Sequence, residues 1–188
     1  YRQRRAREKN ITINNRLATM KVFFKHMIEL GVIEKENNPM IGVKNLKEGR
    51  TVITTFNDDE VKRIIDSTGS ETYSNIRDKT ILIFLFETGV RVSELIGIKN
   101  DDVFLDRIFI RGKGSHERYV YISKKMRRQM KRYERARKLR FEHLPESMVD
   151  DYYFLNQEAD GMSRSNVNKI LRRATDKAGI RNEVRGSP

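Results

Sequence analysis

The sequence predicts a mainly α-helical fold with one small antiparallel β-hairpin, in an α+β domain that follows a small all-α domain. Most apolar residues recur at helical spacing, whereas two short segments, "RIFIR" and "RYVYIS", are rich in β-branched and aromatic residues. A polar and basic stretch with two glycines, residues 42–54, separates the first helix from the rest of the chain. We therefore expect a first domain, a linker and a second domain at residues 1–45, 46–54 and 55–188.

The first domain is predicted to contain one long helix between Thr12 and Leu30. Thr12 is expected to cap the N-terminus of this helix, and Gly31 is expected to end it. A short second helix is expected around Glu34–Glu36, before Pro39. The inward face of the long helix is predicted from apolar residues at helical spacing: Ile13, Leu17, Met20, Phe24, Met27 and Ile28.

The second domain is predicted to begin with two helices and a turn. Asn57 and Glu60 have the spacing of a capping box, which starts a helix. The run from Ile81 to Phe86 is apolar on all sides, so we expect a central core helix that ends at Gly89. The segment "VSELIGI" is expected to form a short helix directly after this turn.

A β-hairpin with the basic turn "GKGSHE" is expected next, because its flanking segments have strand composition. Ser123 should then cap a long, highly charged helix, whose inward residues are predicted to be Met126, Met130, Tyr133 and Ala136. The segment "YYFLN" is predicted to be a short strand, and the last helix is expected between Ser163 and Gly179.

The charge of the chain favours a polyanionic partner. Among the 188 residues, 39 Lys and Arg stand against 26 Asp and Glu, which gives a net charge of +13. Nucleic acid is the first candidate, and a merely soluble basic protein is the alternative. An anionic membrane surface is a third possibility, but no predicted helix combines a basic face with a strong Trp, Phe and Leu face. The apolar run at residues 80–86 is also far shorter than the roughly 20 residues that a spanning helix needs. The absence of cysteine excludes disulfides and thiolate zinc sites and fits a cytoplasmic protein.

Arg91 is the first candidate for chemistry, because it follows a glycine turn at the start of a helix. Free N–H groups at such a position favour an anion, and a guanidinium can hold a phosphate with two hydrogen bonds. Glu94 lies three residues later on the same helix face and can orient the guanidinium. A purely structural Arg91–Glu94 ion pair explains the same spacing, and spacing alone favours that alternative.

Lys113 is the second candidate, because it lies between two glycines at the hairpin turn, where the backbone can approach a ligand closely. A lysine beside a phosphodiester stabilises negative charge and, with a lowered pKa, can donate a proton to a leaving oxygen. Taken alone, a Gly-Lys-Gly segment is better explained as a flexible, solvated turn.

The order of these pieces resembles the tyrosine recombinase, or phage integrase, family. The segments "ETGVRVSELIGIKNDDV" and "IRGKGSHERYVYIS" match two recurring motifs of the family nearly in full, in the same order and spacing. "TINNRLATMKVFFKHMIELGVIEKENNP" is similar to the end of its helical core-binding domain. "SRSNVNKILRRATDKAGI" is similar to the helix before its second arginine motif. The resemblance thus implies part of a core-binding domain followed by a partial catalytic domain.

The resemblance also implies roles for the candidate residues. Arg91 corresponds to the first catalytic arginine, which contacts the scissile phosphate, and Glu94 to the acidic residue that supports it. Lys113 corresponds to the hairpin lysine that assists departure of the 5′ oxygen. In this family a tyrosine hydroxyl attacks a DNA phosphodiester and forms a 3′-phosphotyrosine bond. No cofactor and no metal are expected, because the covalent link retains the phosphate energy and arginines stabilise the charge.

The sequence departs from the family pattern at its end. A His-x-x-Arg motif is expected after a Ser-Pro such as Ser187–Pro188, where this sequence stops. On this interpretation the second arginine and the tyrosine nucleophile are absent, so the fragment is expected to bind DNA weakly and not to cleave it. His116 stands where the family often has Lys or Asn, and we interpret it as a loop variant.

Other basic residues are expected to bind double-stranded DNA, which the two domains would clamp through salt-dependent phosphate contacts. Lys21 and Lys25 are the candidates in the first domain. The last helix would fit a major groove, and its candidates are Arg164, Asn168, Lys169, Arg172 and Arg173. A solvated charged face is the alternative for each of them, and it is the stronger interpretation for the helix after Ser123.

Together these features predict that the parent protein is a site-specific DNA recombinase of an integrating element, such as a phage or a conjugative transposon. It would act in the cytoplasm of the host cell as a homotetramer on DNA. Two alternatives are a non-catalytic DNA-binding protein on the same scaffold and a basic RNA- or ribosome-binding protein. Only the recombinase prediction requires that loss of Arg91 abolish strand cleavage while leaving DNA binding largely intact.

Overall fold

Three stretches of the chain, residues 10–47, 55–112 and 117–180, are described by the structure, which is a computed structural model. The backbone divides into two units, Tyr1–Val52 and Ile53–Pro188. Most of the predicted linker, residues 48–54, lies outside the described residues, so the predicted domain limits stay a prediction.

One long helix, α1 (Asn10–Glu29), dominates the described part of the first unit. The predicted N-cap at Thr12 is wrong, because the helix already includes Asn10 and Thr12 is one of its helical residues. Gly31 follows the helix with a φ of +70°, and the Val32 N–H donates to the Met27 carbonyl oxygen at 3.0 Å. A glycine in this left-handed conformation ends the helix as predicted, since it satisfies an open carbonyl at little steric cost.

The segment after α1 folds back along the helix. A 3₁₀ turn at Lys35–Asn37 takes the place of the predicted second helix. The Asn14 side chain holds the returning chain by accepting from the Leu46 N–H at 2.7 Å and donating to the Leu46 carbonyl at 2.9 Å. Asn14 is therefore buried, whereas Met20 of the predicted inward face is 47% exposed. The other residues of the predicted inward face, Ile13, Leu17, Phe24, Met27 and Ile28, are half-buried.

The described part of the second unit contains five helices, a hairpin and two 3₁₀ turns. The turns lie at Asn100–Asp102 and Glu146–Met148. The helices, in chain order, are α2 (Asp58–Asp66), α3 (Tyr73–Thr88), α4 (Val92–Ile96), α5 (Lys124–Phe141) and α6 (Arg164–Lys177).

Side-chain caps confirm the predicted starts of three of these helices. Asn57 and Glu60 form both hydrogen bonds of a capping box at the start of α2. Ser123 accepts from the Met126 N–H at 3.0 Å at the start of α5. Ser163 accepts from the Asn166 N–H at 3.1 Å in the same way at the start of α6.

Helix α3 lies at the centre of the second unit, where it contacts α2, α5 and α6. Successive residues of α3 from Thr80 to Leu85 are buried, as expected for a helix that is apolar nearly all round. Met126, Met130 and Tyr133 of α5 are fully buried against this core as predicted, and Ala136 is half-buried. No helix in the described ranges combines the length and the apolar character that crossing a bilayer requires.

The predicted hairpin consists of β1 (Arg107–Arg111) and β2 (Glu117–Tyr121), which pair antiparallel. Arg107 lies opposite Tyr121 at the open end, and Arg111 lies opposite Glu117 beside the turn. Ile108 and Ile110 are fully buried, so one face of the hairpin covers the helical core. The mainly α fold with a small antiparallel hairpin is thus confirmed.

The predicted strand at "YYFLN" is wrong, because this segment forms only isolated bridges with the described part of the chain. Tyr152 and Leu155 form isolated bridges with Lys99 and Gly161. Side chains satisfy part of the remaining backbone instead: the Leu155 N–H donates to the Tyr133 hydroxyl at 3.1 Å, and the Tyr73 hydroxyl donates to the Leu155 carbonyl at 3.0 Å. The aromatic composition that suggested a strand serves to pack this irregular segment on the core.

Candidate active site

A glycine turn between α3 and α4 presents Arg91 to solvent. Gly89 has a φ of +63°, and its N–H donates to the Leu85 carbonyl at 3.0 Å, which ends α3. Val90 and Val92 are buried on either side of Arg91, whereas the Arg91 side chain is 76% exposed. Two apolar anchors therefore fix the backbone of the turn and direct the guanidinium outward.

Glu94 is the buried partner of this arginine. Its side chain is 4% exposed, and its Oε2 accepts from the Arg91 N–H at 3.0 Å. Its Oε1 accepts from Arg91 Nη1 at 3.2 Å. The carboxylate thus caps the first turn of α4 and steadies the guanidinium at the same time.

Arg118 is a second arginine on the same carboxylate, and sequence reasoning missed it. Its Nη1 donates to Glu94 Oε1 at 3.1 Å and its Nη2 to Glu94 Oε2 at 2.8 Å. In the observed register Arg118 lies opposite the buried Ile110, and directly opposed residues share a face of the hairpin. The Arg118 side chain is 44% exposed and reaches the buried Glu94 carboxylate from the edge of that face.

The cations around Glu94 keep it ionised. Its pKa is lowered to about 2, first by the hydrogen bonds from Arg118 and then by those from Arg91, while burial acts in the opposite direction. The same pairing raises the pKa of the Arg118 guanidinium. Two guanidinium groups therefore share one carboxylate, which leaves a positive charge at an exposed position that suits an anion.

A second arginine–carboxylate pair lies on the other strand of the hairpin. Asp102 has a side chain that is 4% exposed, and it accepts from the Lys99 N–H at 2.9 Å. Its Oδ2 also pairs with Nη1 of Arg111, the last residue of β1. Each strand of the hairpin is thus ion-paired to a buried carboxylate close to the turn.

Lys113 lies outside the described residues, as does the whole turn at residues 113–116, which includes His116. The ladder fixes where the turn leaves and rejoins the hairpin, because Arg111 and Glu117 are its last paired residues. The role of Lys113 therefore stays a prediction. No three His, Cys, Asp or Glu side chains form a possible metal-binding group within the described ranges.

The candidate DNA-contacting residues of α6 are all exposed. Arg164, Asn168 and Arg172 follow one another at intervals of four and form one ridge, and Lys169 and Arg173 form a second ridge. The second ridge borders an open cavity of about 360 Å³ that Arg77 also lines. Arg173 contacts the Asp78 carboxylate at 3.4 Å. Helix α6 also contacts α4, the helix that begins directly after Arg91.

The two candidate lysines of the first unit differ in their surroundings. Lys21 is half-buried, and its Nζ donates to Asn45 Oδ1 at 3.1 Å, so it holds the segment that returns along α1. Lys25 is exposed and lies 3.7 Å from the Glu29 carboxylate, four residues later. Lys25 is thus more accessible to a ligand than Lys21.

The chain belongs to the phage integrase family: the profile of that family matches residues 54–187. The family resemblance seen in the two sequence motifs is thereby confirmed.

Curated relatives carry the same family assignment. The chain is 31% identical over 172 residues to the tyrosine recombinase XerD of Listeria innocua serovar 6a, covering 89% of this chain and 56% of that protein. It is 26% identical over 167 residues to the tyrosine recombinase XerC of Staphylococcus aureus strain JH9, covering 87% and 53%. The chain therefore spans about half the length of the curated relatives it matches.

Solved structures support the fold. The XerH site-specific recombinase in its pre-cleavage complex with difH superposes with a TM-score of 0.72 at 21% identity, over 96% of this chain and 52% of that one. A λ integrase dimer bound to a COC′ core site superposes with a TM-score of 0.70 at 16% identity, over 94% and 62%. At these identities the likeness concerns the fold alone.

Proposed function

We propose that the full-length protein is a tyrosine-type site-specific DNA recombinase, which breaks and rejoins DNA through a 3′-phosphotyrosine intermediate. The observation that carries the proposal is the Arg91 guanidinium, exposed on a buried and ionised Glu94 beside the hairpin. A structural ion pair alone would not require a second arginine, Arg118, to share the same carboxylate. The names of the relatives, which are tyrosine recombinases, support the same reaction class.

The proposed chemistry assigns each cation a task. The Arg91 guanidinium would bind the non-bridging oxygens of the scissile phosphate, because its planar fork matches two oxygens and stays charged at any working pH. It would stabilise the extra negative charge of the transition state. Lys113 would stabilise the departing 5′ oxygen or protonate it. The phosphotyrosine bond would retain the phosphodiester energy for rejoining, so the reaction needs no nucleotide cofactor.

The tyrosine nucleophile would not be one of the three core tyrosines of the second unit, Tyr73, Tyr133 and Tyr153. Tyr73 and Tyr153 have raised pKa values, mainly because they are buried, and their hydroxyls are hydrogen-bonded to Leu155 and Glu134. Tyr133, also buried, has a raised pKa as well. These side chains support the core and are unsuited to attack a phosphodiester, since a nucleophile must reach its substrate and lose its proton.

DNA would be the partner of both units. The exposed ridge of Arg164, Asn168 and Arg172 would lie along a major groove, with Lys169 and Arg173 beside it, and Lys21 and Lys25 would add contacts from α1. In this proposal residues 1–45 belong to a DNA-clamping domain, 46–54 to the linker and 55–188 to the catalytic domain. The full-length protein would act as a homotetramer in the cytoplasm, integrating or excising a phage or a conjugative transposon.

The test is single-turnover cleavage of nicked DNA that carries the junctions of the element in which the gene resides. We expect the full-length protein to form a covalent protein–DNA adduct that survives denaturation in SDS. Arg91→Ala should reduce adduct formation about 10²- to 10³-fold, the order of loss seen when one donor to the transition state is removed, while DNA affinity changes by less than about threefold. The matched control is Arg107→Ala, which removes an arginine from the hairpin end opposite the turn.

Each other outcome of this experiment points to a different protein class. Specific DNA binding without any adduct from the unmodified protein would identify a non-catalytic DNA-binding protein on this scaffold. Preferential binding of RNA, unaffected by Arg91→Ala, would identify an RNA-binding protein.

A further inference from the structure

Two ion pairs tie the hairpin to the short elements that lie between α3 and β1. Arg118 in β2 donates two hydrogen bonds to Glu94 of α4, at 3.1 and 2.8 Å. Arg111 in β1 pairs with Asp102 of the 3₁₀ turn. Both carboxylates are buried, with side chains 4% exposed. The hairpin is therefore held on both strands, within two residues of the turn that includes Lys113.

Arg118 and Arg91 use Glu94 differently. Arg118 places one guanidinium hydrogen bond on each oxygen of the carboxylate, a bidentate arrangement. Arg91 places a single guanidinium hydrogen bond on Oε1, and its backbone N–H occupies Oε2. The four donors fill the acceptor sites of one carboxylate. Arg118 thus fixes the plane of the Glu94 carboxylate, and the weakly engaged Arg91 guanidinium retains its outward exposure.

We propose that Arg118 is a positioning residue for DNA cleavage, which acts through Glu94 and makes no contact with DNA. By holding Glu94 in one orientation it would align the Arg91 guanidinium, which shares that carboxylate. The inference rests on the proposed recombinase function, since Arg91 has to be aligned only if it binds a reacting phosphate. A displacement of about 1 Å at such a site can cost about 10²-fold in rate.

The first test measures the ion pair itself in the 188-residue chain. The carboxyl carbon of Glu94 is followed by ¹³C NMR during an acid titration. In the unchanged chain the Glu94 pKa is expected to be about 2, and Arg118→Ala should raise it by at least one unit. Arg107→Ala is the matched control, because Arg107 lies in the same hairpin and stacks on Phe104 and Tyr119. An unchanged Glu94 titration in Arg118→Ala overturns the inference.

The second test measures cleavage by the full-length protein. Arg118→Ala should lower the single-turnover cleavage rate of bound nicked DNA about 10²-fold and leave DNA affinity within twofold. Arg118→Lys keeps the positive charge but loses the planar guanidinium that donates two parallel hydrogen bonds. It should therefore cleave faster than Arg118→Ala and more slowly than the unchanged protein. Glu94→Gln combined with Arg118→Ala should be no slower than Glu94→Gln alone, because both changes act on one carboxylate. Thermal melting of each variant shows whether it is folded.

The outcomes separate the two proposals. If Arg118→Ala weakens DNA binding and the bound complex cleaves at the normal rate, Arg118 is a DNA contact and not a positioning residue. If the two substitutions multiply in their effects, Arg118 does not act through Glu94. If the unmodified protein forms no adduct, the recombinase function fails and the catalytic role of Arg118 fails with it, while the titration still decides whether Arg118 holds Glu94.

Discussion

At the scale of single residues, one buried carboxylate organises the cations of the candidate site. Glu94 accepts from the backbone and side chain of Arg91 and from both terminal nitrogens of Arg118. Burial of an ion is costly unless every acceptor is satisfied, and here four donors fill the carboxylate. A residue placed in this way stabilises the fold and also determines where an exposed guanidinium can point.

This arrangement predicts a pH-dependent contribution of Glu94 to stability. Its pKa in the folded chain, about 2, lies below the ordinary value of 4.5, so the stabilisation is complete above pH 4.5 and is lost as the pH falls toward 2. Glu94→Gln should lower the free energy of unfolding at pH 7 by on the order of 2 kcal/mol, and the difference should shrink as the pH falls from about 5 to 2.

Urea denaturation of the 188-residue chain at several pH values provides the measurement. Glu146→Gln is the control, because Glu146 is exposed and its replacement should change stability little at any pH. A difference between Glu94→Gln and the unchanged chain that stays constant down to pH 2 would contradict the role of the Glu94 charge.

At the scale of elements, the turn between α3 and α4 links the core to the candidate site. Helix α3 is buried on nearly all sides, and α4 is too short to hold its place without packing. The left-handed Gly89 lets the chain reverse within three residues, so that Val90 and Val92 enter the core and Arg91 leaves it. The position of the guanidinium is thus a consequence of how one helix ends.

We therefore predict that Gly89→Ala destabilises the chain through its backbone. A Cβ at this position would meet no atom within 4 Å, but the φ of +63° is unfavourable for a residue with a side chain. The free energy of unfolding should fall by about 1 kcal/mol, and Gly89→Asn should cost less because Asn tolerates the left-handed region.

Thermal or urea unfolding of the unchanged chain, Gly89→Ala and Gly89→Asn measures these differences in the free energy of unfolding. Gly97→Ala is the matched control, because Gly97 has a φ of −85° and a Cβ there would contact Ser93 and Glu94 carbonyl oxygens no closer than 3.4 Å. A larger loss for Gly97→Ala than for Gly89→Ala would show that the left-handed turn is not the source of the cost.

At the scale of the whole molecule, the net charge is +13, and exposed cations lie on both α5 and α6. These two helices differ in their position relative to the candidate site. The exposed ridge of α6 adjoins the element that bears the candidate site, since α6 contacts α4. Helix α5 carries many exposed cations around a buried side of Met126, Met130 and Tyr133. Charge alone would favour α5, which has ten Lys and Arg and one Glu, over α6, which has five Lys and Arg and one Asp. Only the contact of α6 with the element that bears the candidate site favours α6.

The salt dependence of DNA binding by the full-length protein tests this distinction. The double substitution Arg164→Ala and Arg172→Ala should reduce the slope of log affinity against log salt concentration by about 2, because each lost phosphate contact removes about 0.9. Arg128→Ala with Arg135→Ala removes the same charge from exposed positions of α5 and should leave the slope nearly unchanged. Equal effects of the two pairs would show that α6 has no special place in the interface.

Features of the fold that depend on neighbouring residues were predicted correctly, whereas a feature that depends on distant residues was not. Capping at Asn57, Ser123 and Ser163 and helix termination at Gly31 and Gly89 depend on a few neighbouring residues, so those helix boundaries were read correctly from the sequence. The segment "YYFLN" was misread because its backbone is satisfied in part by Tyr133 and Tyr73, which lie far away along the chain. Thr12 is not a cap, because α1 already includes Asn10 and Ile11.

By itself, the sequence determined the family, the helical architecture with a small hairpin, and the choice of Arg91 with Glu94 as candidate site residues, because motifs and caps are local patterns. Only the tertiary structure decided that Arg118 completes the Glu94 site and that Arg111 pairs with Asp102. These pairings join residues of separate elements, and their partners are set by how the hairpin packs on the helices. A buried charge needs an oppositely charged partner close to it in space, and the separation of two residues along the sequence does not give the distance between their side chains.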